Sequence, residues 1–387
     1  MGSTASRDGK GSSRRLWNRT VDDATPRLID GTAITPSGAA APAVAGATDQ
    51  ARTLLALNCI QYSSFLGDTC LTGCADGSIR RLNWRLKARV PHTGLNVWIP
   101  HSEAVTQVVI GAKLQMIYSC SLDTTVAITP ITDKPASETA TILRGHRLGV
   151  ASVAVDDAEQ MLCSGGRDTQ TIFWDLTTSH IAAKTTTLEN VVTCSTWLPG
   201  EALVAQGSED SSVKLWDPRT PLETPVQTLR GFQQFPQSIA ASNTEHESNS
   251  TYLLTSSKGL NGVGYEAQVW DRRTGKQVVK FKSGDQDATA CCFLPNTVDQ
   301  SSSEDDRESS GRRLPLPVTA STDGTVKVWD ASSLSPLAEA YAEGAPKCMI
   351  TSLCTVDKST LLASTIGGQV LAYCLDRKRR TLALQPR

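Results

Sequence analysis

The stretch TDGTVKVWD at residues 322–330 decides the fold of this chain, because close copies of it occur elsewhere. RDTQTIFWD at 167–175 and EDSSVKLWD at 209–217 superpose on it without gaps, and in all three an aspartate stands six positions before a tryptophan. Between these two residues apolar positions alternate with polar ones, which indicates a turn followed by a short β-strand. The sequence therefore predicts a repeated hairpin.

Weaker copies of this pattern raise the number of repeats to seven. They are Asp76 with Trp84, Asp123 with Thr129, Gly367 with Tyr373, and a longer version that ends at Trp270. The turn aspartates at positions 76, 123, 168 and 210 are separated by 47, 45 and 42 residues. This spacing is close to the period of about 40 to 45 residues that is typical of four-stranded propeller blades.

Four Trp-Asp dipeptides begin at positions 174, 216, 270 and 329, and Gly145 directly precedes His146. On these residues the chain resembles the WD-repeat β-propeller family over residues 51–376. The resemblance implies an all-β fold with one seven-bladed domain, preceded by a disordered arm at residues 1–50. A propeller must close its ring so that no sheet edge stays open. Residues 381–385 or residues 28–35 are the two candidates for the closing strand.

The resemblance also implies a buried tetrad in a blade, formed by a histidine, a serine or threonine, the turn aspartate and the tryptophan. The third repeat has all four residues, His146, Ser164, Asp168 and Trp174, and the second has His101, Ser119 and Asp123 with Thr129 in place of the tryptophan. Serine, histidine and aspartate together could also form a nucleophilic triad. Because the same spacing recurs, we interpret them as structural struts that satisfy buried polar groups.

Composition and charge exclude several classes of protein. The 387 residues contain 38 lysines and arginines against 39 aspartates and glutamates, so neither a globally basic nucleic-acid binder nor an acidic disordered chain is expected. No apolar run is long enough for a membrane-spanning helix. The eleven cysteines include no C-x-x-C pair, which favours reduced, buried thiols in a cytoplasmic protein over disulfides or a zinc site.

The sequence predicts a scaffold for protein–protein interaction and not an enzyme. It shows no catalytic constellation, metal-ligand spacing or phosphate-binding loop, so we expect no cofactor, nucleic acid or small-molecule substrate. The stretch SSKGLNGVGYE at 256–266 makes the hairpin of the fifth repeat about five residues longer than the others. Its glycines lack the strand-to-helix context of a nucleotide site. We interpret it as a partner loop, with Lys258, Leu260, Asn261, Tyr265 and Glu266 as candidate contacts.

The same loop, together with residues 190–199 and 208–217, resembles one branch of the WD-repeat family. Members of that branch are associated with cilia, so the resemblance implies a role in cilium assembly or ciliary trafficking. A second resemblance points elsewhere: Trp216-Asp217-Pro218-Arg219 and Trp270-Asp271-Arg272-Arg273 are similar to the W-D-x-R box of cullin-4 ubiquitin-ligase receptors. There Arg219 and Arg273 would contact the adaptor. Gln206 departs from the small residue that the box prefers, and the box overlaps the ordinary repeat.

The sequence begins MGSTAS, which fits the pattern for N-myristoylation of Gly2. Five basic residues follow within the first twenty positions, against the single acid Asp8: Arg7, Lys10, Arg14, Arg15 and Arg19. One myristoyl chain binds a membrane only marginally, so a basic cluster is the second signal that stable attachment needs. We therefore predict a peripheral membrane protein, and the resemblance above implies a location at the cilium or its base. A chance hexapeptide and a mitochondrial presequence are the alternatives.

Three further segments differ from the repeat. Residues 20–48 are rich in Ala, Thr, Pro and Gly, which is typical of a flexible tether. Residues 298–313 contain SSSEDDRESS and no apolar residue able to pack, which predicts a disordered insertion; it is either a target for an acidophilic kinase or a plain spacer. Residues 377–387 begin Arg-Lys-Arg-Arg and are interpreted as a basic tail, with a membrane contact or a nuclear signal as further readings.

Overall fold

The computed structural model describes residues 55–85, 97–132, 140–185, 190–242, 252–259, 266–282, 286–295, 315–330, 333–342 and 348–385. These residues form seven four-stranded antiparallel sheets, and each sheet uses four consecutive strands of the chain. The sheets are the blades of a seven-bladed β-propeller, which is the fold predicted from the repeat. The predicted disordered arm at residues 1–50 and the insertion at 298–313 lie outside the described residues.

The strands follow one another in groups of four. Blades 1 to 4 contain β1 (Leu57–Gln61), β2 (Thr69–Cys74), β3 (Ile79–Asn83), β4 (Val97–Trp98); β5 (Val105–Gly111), β6 (Met116–Ser121), β7 (Thr125–Pro130), β8 (Thr141–Arg144); β9 (Val150–Val155), β10 (Met161–Gly166), β11 (Thr171–Asp175), β12 (His180–Lys184); and β13 (Val192–Trp197), β14 (Val204–Ser208), β15 (Ser212–Trp216), β16 (Gln227–Arg230). Blades 5 to 7 contain β17 (Pro236–Ala241), β18 (Tyr252–Ser257), β19 (Glu266–Asp271), β20 (Lys276–Lys282); β21 (Ala288–Leu294), β22 (Leu316–Ser321), β23 (Thr325–Asp330), β24 (Ser335–Tyr341); and β25 (Ile350–Thr355), β26 (Thr360–Thr365), β27 (Val370–Asp376), β28 (Thr381–Leu384). One short 3₁₀ helix, Ser64–Leu66, stands between β1 and β2.

The first strand of each blade lies innermost, because it packs against the first strands of both neighbouring blades. Since the strands of a blade are antiparallel, two kinds of loop meet at each end of the ring. We call one end the upper face: it carries the turns between the second and third strands and the loops that lead to the next blade. The lower face carries the other two sets of turns.

Side-chain hydrogen bonds join the inner strands around the ring. The register of every inner strand shifts at its second residue, which is the mark of a β-bulge. At five blade junctions this bulged residue donates to a backbone carbonyl oxygen of the next blade: Asn58 to Val105 (2.8 Å), Thr106 to Val150 (2.7 Å), Thr193 to Pro236 (2.6 Å), Thr289 to Ile350 (2.7 Å) and Thr351 to Leu57 (2.6 Å). Ala151 and Gln237 stand at the other two bulges, where a neighbouring serine bonds across, Ser152 with Ser195 and Ser238 with Cys291.

The apolar core is divided into seven clusters, one at each junction between neighbouring blades. The large aromatic residue of the third strand packs toward the preceding blade. Trp174 lies between blades 2 and 3, Trp216 between 3 and 4, Trp270 between 4 and 5, and Trp329 between 5 and 6. The repeated tryptophan therefore holds one blade against the next.

In the first blade a different residue occupies this position. Strand register pairs Cys70 with Leu82, in the way that it pairs Leu162 with Trp174 in blade 3. Trp84, which the sequence pattern suggested, lies beyond the end of β3. Its ring packs with Leu82 and Cys70 instead of standing in the strand.

The last blade is completed from the C-terminal side. β28 pairs with β27 along four residues, and Leu382 is buried, so residues 381–384 are the outer strand of blade 7. The other candidate for the closing strand, residues 28–35, lies outside the described residues. The predicted boundary at residue 376 therefore falls inside blade 7. Residues 377–380 form the turn before β28. In residues 381–384 exposed and more buried side chains alternate, which suits an edge strand.

Candidate functional site

The four tetrad residues of blade 3 come together as a continuous chain of hydrogen bonds. His146 lies in the loop before β9, Ser164 in β10, Asp168 in the turn after β10, and Trp174 in β11. Trp174 Nε1 donates to Ser164 Oγ (2.8 Å), Ser164 Oγ lies 2.8 Å from His146 Nε2, and His146 Nδ1 lies 3.0 Å from Asp168 Oδ1. Every polar atom of the histidine ring thus has a partner.

The direction of these bonds defines the state of His146. Since the indole nitrogen only donates, Ser164 accepts from it and donates its own hydrogen to His146 Nε2, which leaves the histidine proton on Nδ1 facing Asp168. Burial lowers the pKa of His146, and the neighbouring Asp168 opposes this shift without reversing it. The ring is therefore neutral near pH 7.

Blade 2 repeats three of these contacts. His101 Nε2 lies 2.9 Å from Ser119 Oγ, and His101 Nδ1 lies 3.1 Å from Asp123 Oδ2 and 3.0 Å from Thr125 Oγ1. Thr129 occupies the tryptophan position and is buried, and its hydroxyl has no hydrogen-bond partner among the described residues. The strut is shorter here, because threonine cannot reach the serine as an indole does.

The fourth blade lacks the strut, and Gln206 shows why. It occupies the serine position of β14, but Thr171 of blade 3 donates to its Oε1 (2.6 Å). Trp216 Nε1 is left without a partner in the described part of the chain. Gln206 therefore connects two blades instead of closing a tetrad within one, which is the reason that it departs from the small residue of the W-D-x-R pattern.

The geometry of Ser164, His146 and Asp168 matches a nucleophilic triad in distance but not in access. Ser164 and Ser119 are each 0% exposed. Ser164 Oγ also has two partners, because it accepts from Trp174 while it donates its hydrogen to His146. No substrate carbonyl can approach an oxygen that is enclosed in this way. The arrangement supports a structural role for both sets.

The tetrad of blade 3 fixes the surface loop above it. The backbone N–H of Arg147 donates to Asp168 Oδ2 (2.8 Å), and the N–H of Arg167 donates to the carbonyl oxygen of Gly149 (2.9 Å). Gly145 leaves no room for a side chain, since a Cβ there would lie 2.9 Å from the Trp174 ring. Loop 145–149 and the turn after β10 are therefore held together as one surface on the upper face.

The candidate partner loop also lies on the upper face, and its two ends have structural contacts. Lys258 Nζ stands 5.5 Å from the centre of the Phe235 ring, and the N–H of Gly259 donates to Asp287 Oδ1 (2.8 Å). Glu266 is buried and pairs with Lys280 (2.7 Å), so its carboxylate is engaged within blade 5. Leu260, Asn261 and Tyr265 lie outside the described residues.

Arg219 and Arg273 lie on the lower face, in the turns after the third strands of the adjacent blades 4 and 5. Arg219 is 70% exposed, and its guanidinium forms two hydrogen bonds with Asp217 (2.9 and 2.7 Å). Arg273 is 51% exposed, with Nε 3.7 Å from Asp271. Both guanidinium groups thus face solvent on the same side of the ring, while Arg272 between them is bound to Glu201.

The buried thiols are not suited to nucleophilic chemistry. All eleven cysteines are free, and nine of them are buried. Burial raises the pKa of Cys291 to about 11 and that of Cys70 to about 12, so both remain protonated near pH 7. Within the described residues no cluster of His, Cys, Asp and Glu could hold a metal ion. Among those same residues, no helix has the length and apolar character needed to cross a bilayer.

The proposed membrane elements lie outside the described residues. They are Gly2 and the basic residues Arg7, Lys10, Arg14, Arg15 and Arg19.

Sequence reasoning also missed features that are described. Glu159 is one of them: it is buried with φ 56° and accepts the N–H groups of Lys113 (2.6 Å) and Leu114 (3.1 Å) from the neighbouring blade. Only the three-dimensional closeness of the two turns reveals this contact.

Comparison with known proteins supports the repeat. The family model "WD domain, G-beta repeat" matches residues 137–175, 183–217 and 309–330, and each match ends at a Trp-Asp dipeptide. Pre-mRNA-processing factor 19 of Mus musculus is 27% identical over 119 residues, which are 30% of this chain and 23% of that protein. The Ribosome biogenesis protein WDR12 homolog of Oryza sativa subsp. japonica is 26% identical over an alignment of 314 positions, gaps included, that covers 69% of this chain and 63% of the homolog.

The chain thus spans less than two thirds of each of these relatives. Among solved structures, the one described as "Structure of U3-55K" superposes with a TM-score of 0.59 at 18% sequence identity. It covers 74% of this chain and 82% of its own. At this level of identity the likeness shows the shared fold alone.

Proposed function

Since this chain is a seven-bladed WD-repeat β-propeller, we propose that it is a non-enzymatic platform for protein–protein interaction. The observation that carries the proposal is the burial of its only well-formed Ser-His-Asp groups among the described residues, where each one supports a surface loop. The chemistry-bearing side chains stabilise the blades, and the loops that they hold face solvent. A fold whose buried polar networks hold its surface loops in place is suited to binding other proteins.

The finer part of the proposal is attachment to a membrane through myristate on Gly2 and the basic residues that follow it. It is supported by the fit of the first six residues to the modification pattern and by a local excess of positive charge. A single acyl chain binds with a constant on the order of 10⁴ M⁻¹, and each nearby basic residue adds about 1 kcal/mol at an anionic surface. Together these two signals are sufficient for peripheral binding.

The second specific part of the proposed function is a ciliary role. It rests on the resemblance of residues 190–199, 208–217 and 256–266 to WD repeat-containing protein 31. The relatives named for pre-mRNA processing and ribosome biogenesis share the repeat at under 30% identity, so they support the propeller class and no particular pathway.

The test of the platform role uses the full-length chain in its native cells. Proteins bound to it are crosslinked and quantified for the wild type, for a variant with residues 259–265 replaced by a short Asn-Gly turn, and for Arg379→Ala on the lower face. We expect a reproducible partner set that depends on the shortened loop but not on Arg379. Failure of the wild type to bind any protein above an unrelated propeller control would refute the platform role. Equal recovery by the loop variant, with unchanged thermal stability, would show that the loop is not the contact.

The test of membrane attachment is the intact mass of the N-terminal peptide from native cells, together with fractionation of Gly2→Ala. A myristoyl mass on Gly2 and release of the variant into the soluble fraction are the expected results. An unmodified or cleaved N-terminus would contradict the attachment and leave the platform role untouched.

The alternative function is that of a receptor in a cullin-4 ubiquitin ligase. It is supported by the exposure of Arg219 and Arg273 on adjacent blades. The double variant Arg219→Ala/Arg273→Ala should abolish capture of the ligase adaptor while the ring stays folded. Lys276→Ala is the matched control, because Lys276 is an exposed cation near Arg273 on the same face. Unchanged capture by the double variant would exclude this role.

A further inference from the structure

Four cations lie in the chain segments that form the upper face of blades 2 and 3. They are Arg144 at the end of β8, Arg147 in the following loop, Arg167 in the turn after β10, and Lys184 at the end of β12. All four are exposed, and none of their side chains has a hydrogen bond or ion pair to another described residue. We call these four residues, together with Leu148, the upper basic patch.

The turn aspartates of these two blades do not neutralise the patch. Asp168 is turned inward, where it accepts from His146, from the N–H of Arg147 and from the N–H of Gln170, and its side chain is 5% exposed. Asp123 is turned inward in the same way toward His101. The carboxylates are therefore used inside the tetrads, and the positive charge that remains is directed to solvent.

The apolar member of the patch is Leu148, whose side chain is 54% exposed between Arg147 and Gly149. Its position is fixed, because a Cβ at Gly149 would lie 3.1 Å from Leu122 Cα of blade 2 and the carbonyl oxygen of Gly149 accepts from Arg167. Arginine is one of the residue types that contribute most binding energy at protein interfaces, and Leu148 adds apolar surface directly beside Arg147.

From this geometry we propose that the upper basic patch binds an acidic, extended peptide segment that carries an apolar side chain. Arginine fork geometry suits carboxylates, and Leu148 offers a contact for the apolar residue. Nucleic acid fits less well, since the described loops of these two blades expose no aromatic ring for base stacking. The inference rests on the proposed platform role and identifies the class of partner that one surface takes.

The test measures binding of a labelled acidic peptide to the full-length chain by fluorescence polarisation. The probe is a short peptide of glutamate and glycine with one central leucine; a second peptide has serine in place of that leucine, and oligouridylate is a third ligand. We expect the leucine peptide to bind, its affinity to fall with added salt, and the serine peptide to bind several-fold more weakly.

Substitution of the patch locates the site. Arg147→Ala/Arg167→Ala should weaken the leucine peptide about tenfold or more, while Arg147→Lys/Arg167→Lys retains part of the affinity. Arg379→Ala/Arg380→Ala, which removes two exposed cations from the lower face, is the matched control and should leave binding unchanged. Thermal melting of each variant shows that the ring is intact, because none of these side chains packs in the core.

Three results would overturn the inference. They are absence of binding to the leucine peptide, equal binding by the alanine variant, or tighter binding of oligouridylate that displaces the peptide. These outcomes differ from failure of the platform role. If the alanine variant recovers the same crosslinked partners as the wild type, the patch is not the contact but the platform role stands. If the wild type recovers none, the platform role itself fails.

Discussion

Thr351, at the start of the last blade, donates a hydrogen bond from Oγ1 to the carbonyl oxygen of Leu57 in the first blade, at 2.6 Å. The two residues are 294 positions apart, so this bond joins the two ends of the propeller. All four strands of blade 7 come from one continuous stretch, and within the described residues no strand is shared between the first and last blades. The ring is therefore closed by side-chain contacts at this junction.

Thr351→Val should weaken this closure. The substitution keeps the shape but removes the donor, so we expect a loss of about 1 kcal/mol in the free energy of unfolding. Thr106→Val is the control, because it removes an equivalent bond at a junction that the chain itself connects. Hydrogen exchange should report faster opening of β1 and β25 in Thr351→Val than of β5 and β9 in Thr106→Val. Equal local protection in the two variants would argue against a weaker closing junction.

The buried histidines predict a pH dependence of stability. Burial lowers the pKa of both His101 and His146 in the folded state, so the unfolded state binds more protons as the pH falls. Stability should therefore decrease as pH is lowered through about 6.5, by up to about 1.4 kcal/mol per pH unit for each histidine. Carboxylates with a lowered pKa, such as Asp123, add their own loss at lower pH, below about 4.

Urea titrations at a series of pH values measure this effect. His146→Gln should unfold at lower urea and show a smaller pH slope between about pH 7 and 5. His180, which is exposed on the outer strand β12, is the comparison, because His180→Gln leaves the buried histidines intact. An unchanged slope in His146→Gln would contradict a neutral, buried imidazole.

Two glycines separate backbone conformation from crowding. Gly67 (φ 61°) has no atom within 4 Å of the position of a Cβ, whereas a Cβ at Gly77 (φ 81°) would lie 2.4 Å from the carbonyl oxygen of His101. Gly67→Ala should cost about 1 to 2 kcal/mol from its backbone conformation (φ 61°, ψ −123°) alone. Gly77→Ala should cost more than about 2 kcal/mol, because the rigid backbone before blade 2 must also move. Thermal unfolding of the two variants provides the comparison. Equal losses of stability would mean that the loop before blade 2 moves aside to accommodate the added Cβ.

Glu159 connects blades 2 and 3 on the lower face. Its carboxylate accepts the N–H groups of Lys113 (2.6 Å) and Leu114 (3.1 Å), so Glu159→Ala removes both hydrogen bonds. Because Lys113 and Leu114 are exposed, we expect a loss of about 1 to 3 kcal/mol, and a smaller loss for Glu159→Gln, which keeps one acceptor oxygen. Urea unfolding measures both. A loss in Glu159→Ala no greater than in Glu159→Gln would show that water replaces the carboxylate.

The repeat made the fold predictable, because a spacing of six residues between aspartate and tryptophan defines one hairpin and its recurrence defines the ring. The tetrad of blade 3 was also accessible, since its four residues lie within one repeat. Trp84 shows the limit of this reasoning: the pattern gave it a strand position that belongs to Leu82, because register and not residue type decides which side chain faces the preceding blade. Residues 377–380 were interpreted as a tail because a short edge strand carries little sequence signal.

What the sequence by itself determined is therefore the blade: its strands, its turn and the strut within it, all of which depend on residues near one another in the chain. What only the tertiary structure decided are the contacts between blades. Thr351 with Leu57, Thr171 with Gln206, and Glu159 with Lys113 join residues between 35 and 294 positions apart. The upper basic patch belongs to the same class. Its arginines do not stand out in the sequence, and they have no ion pair with the described residues because the tetrads turn the nearby carboxylates inward.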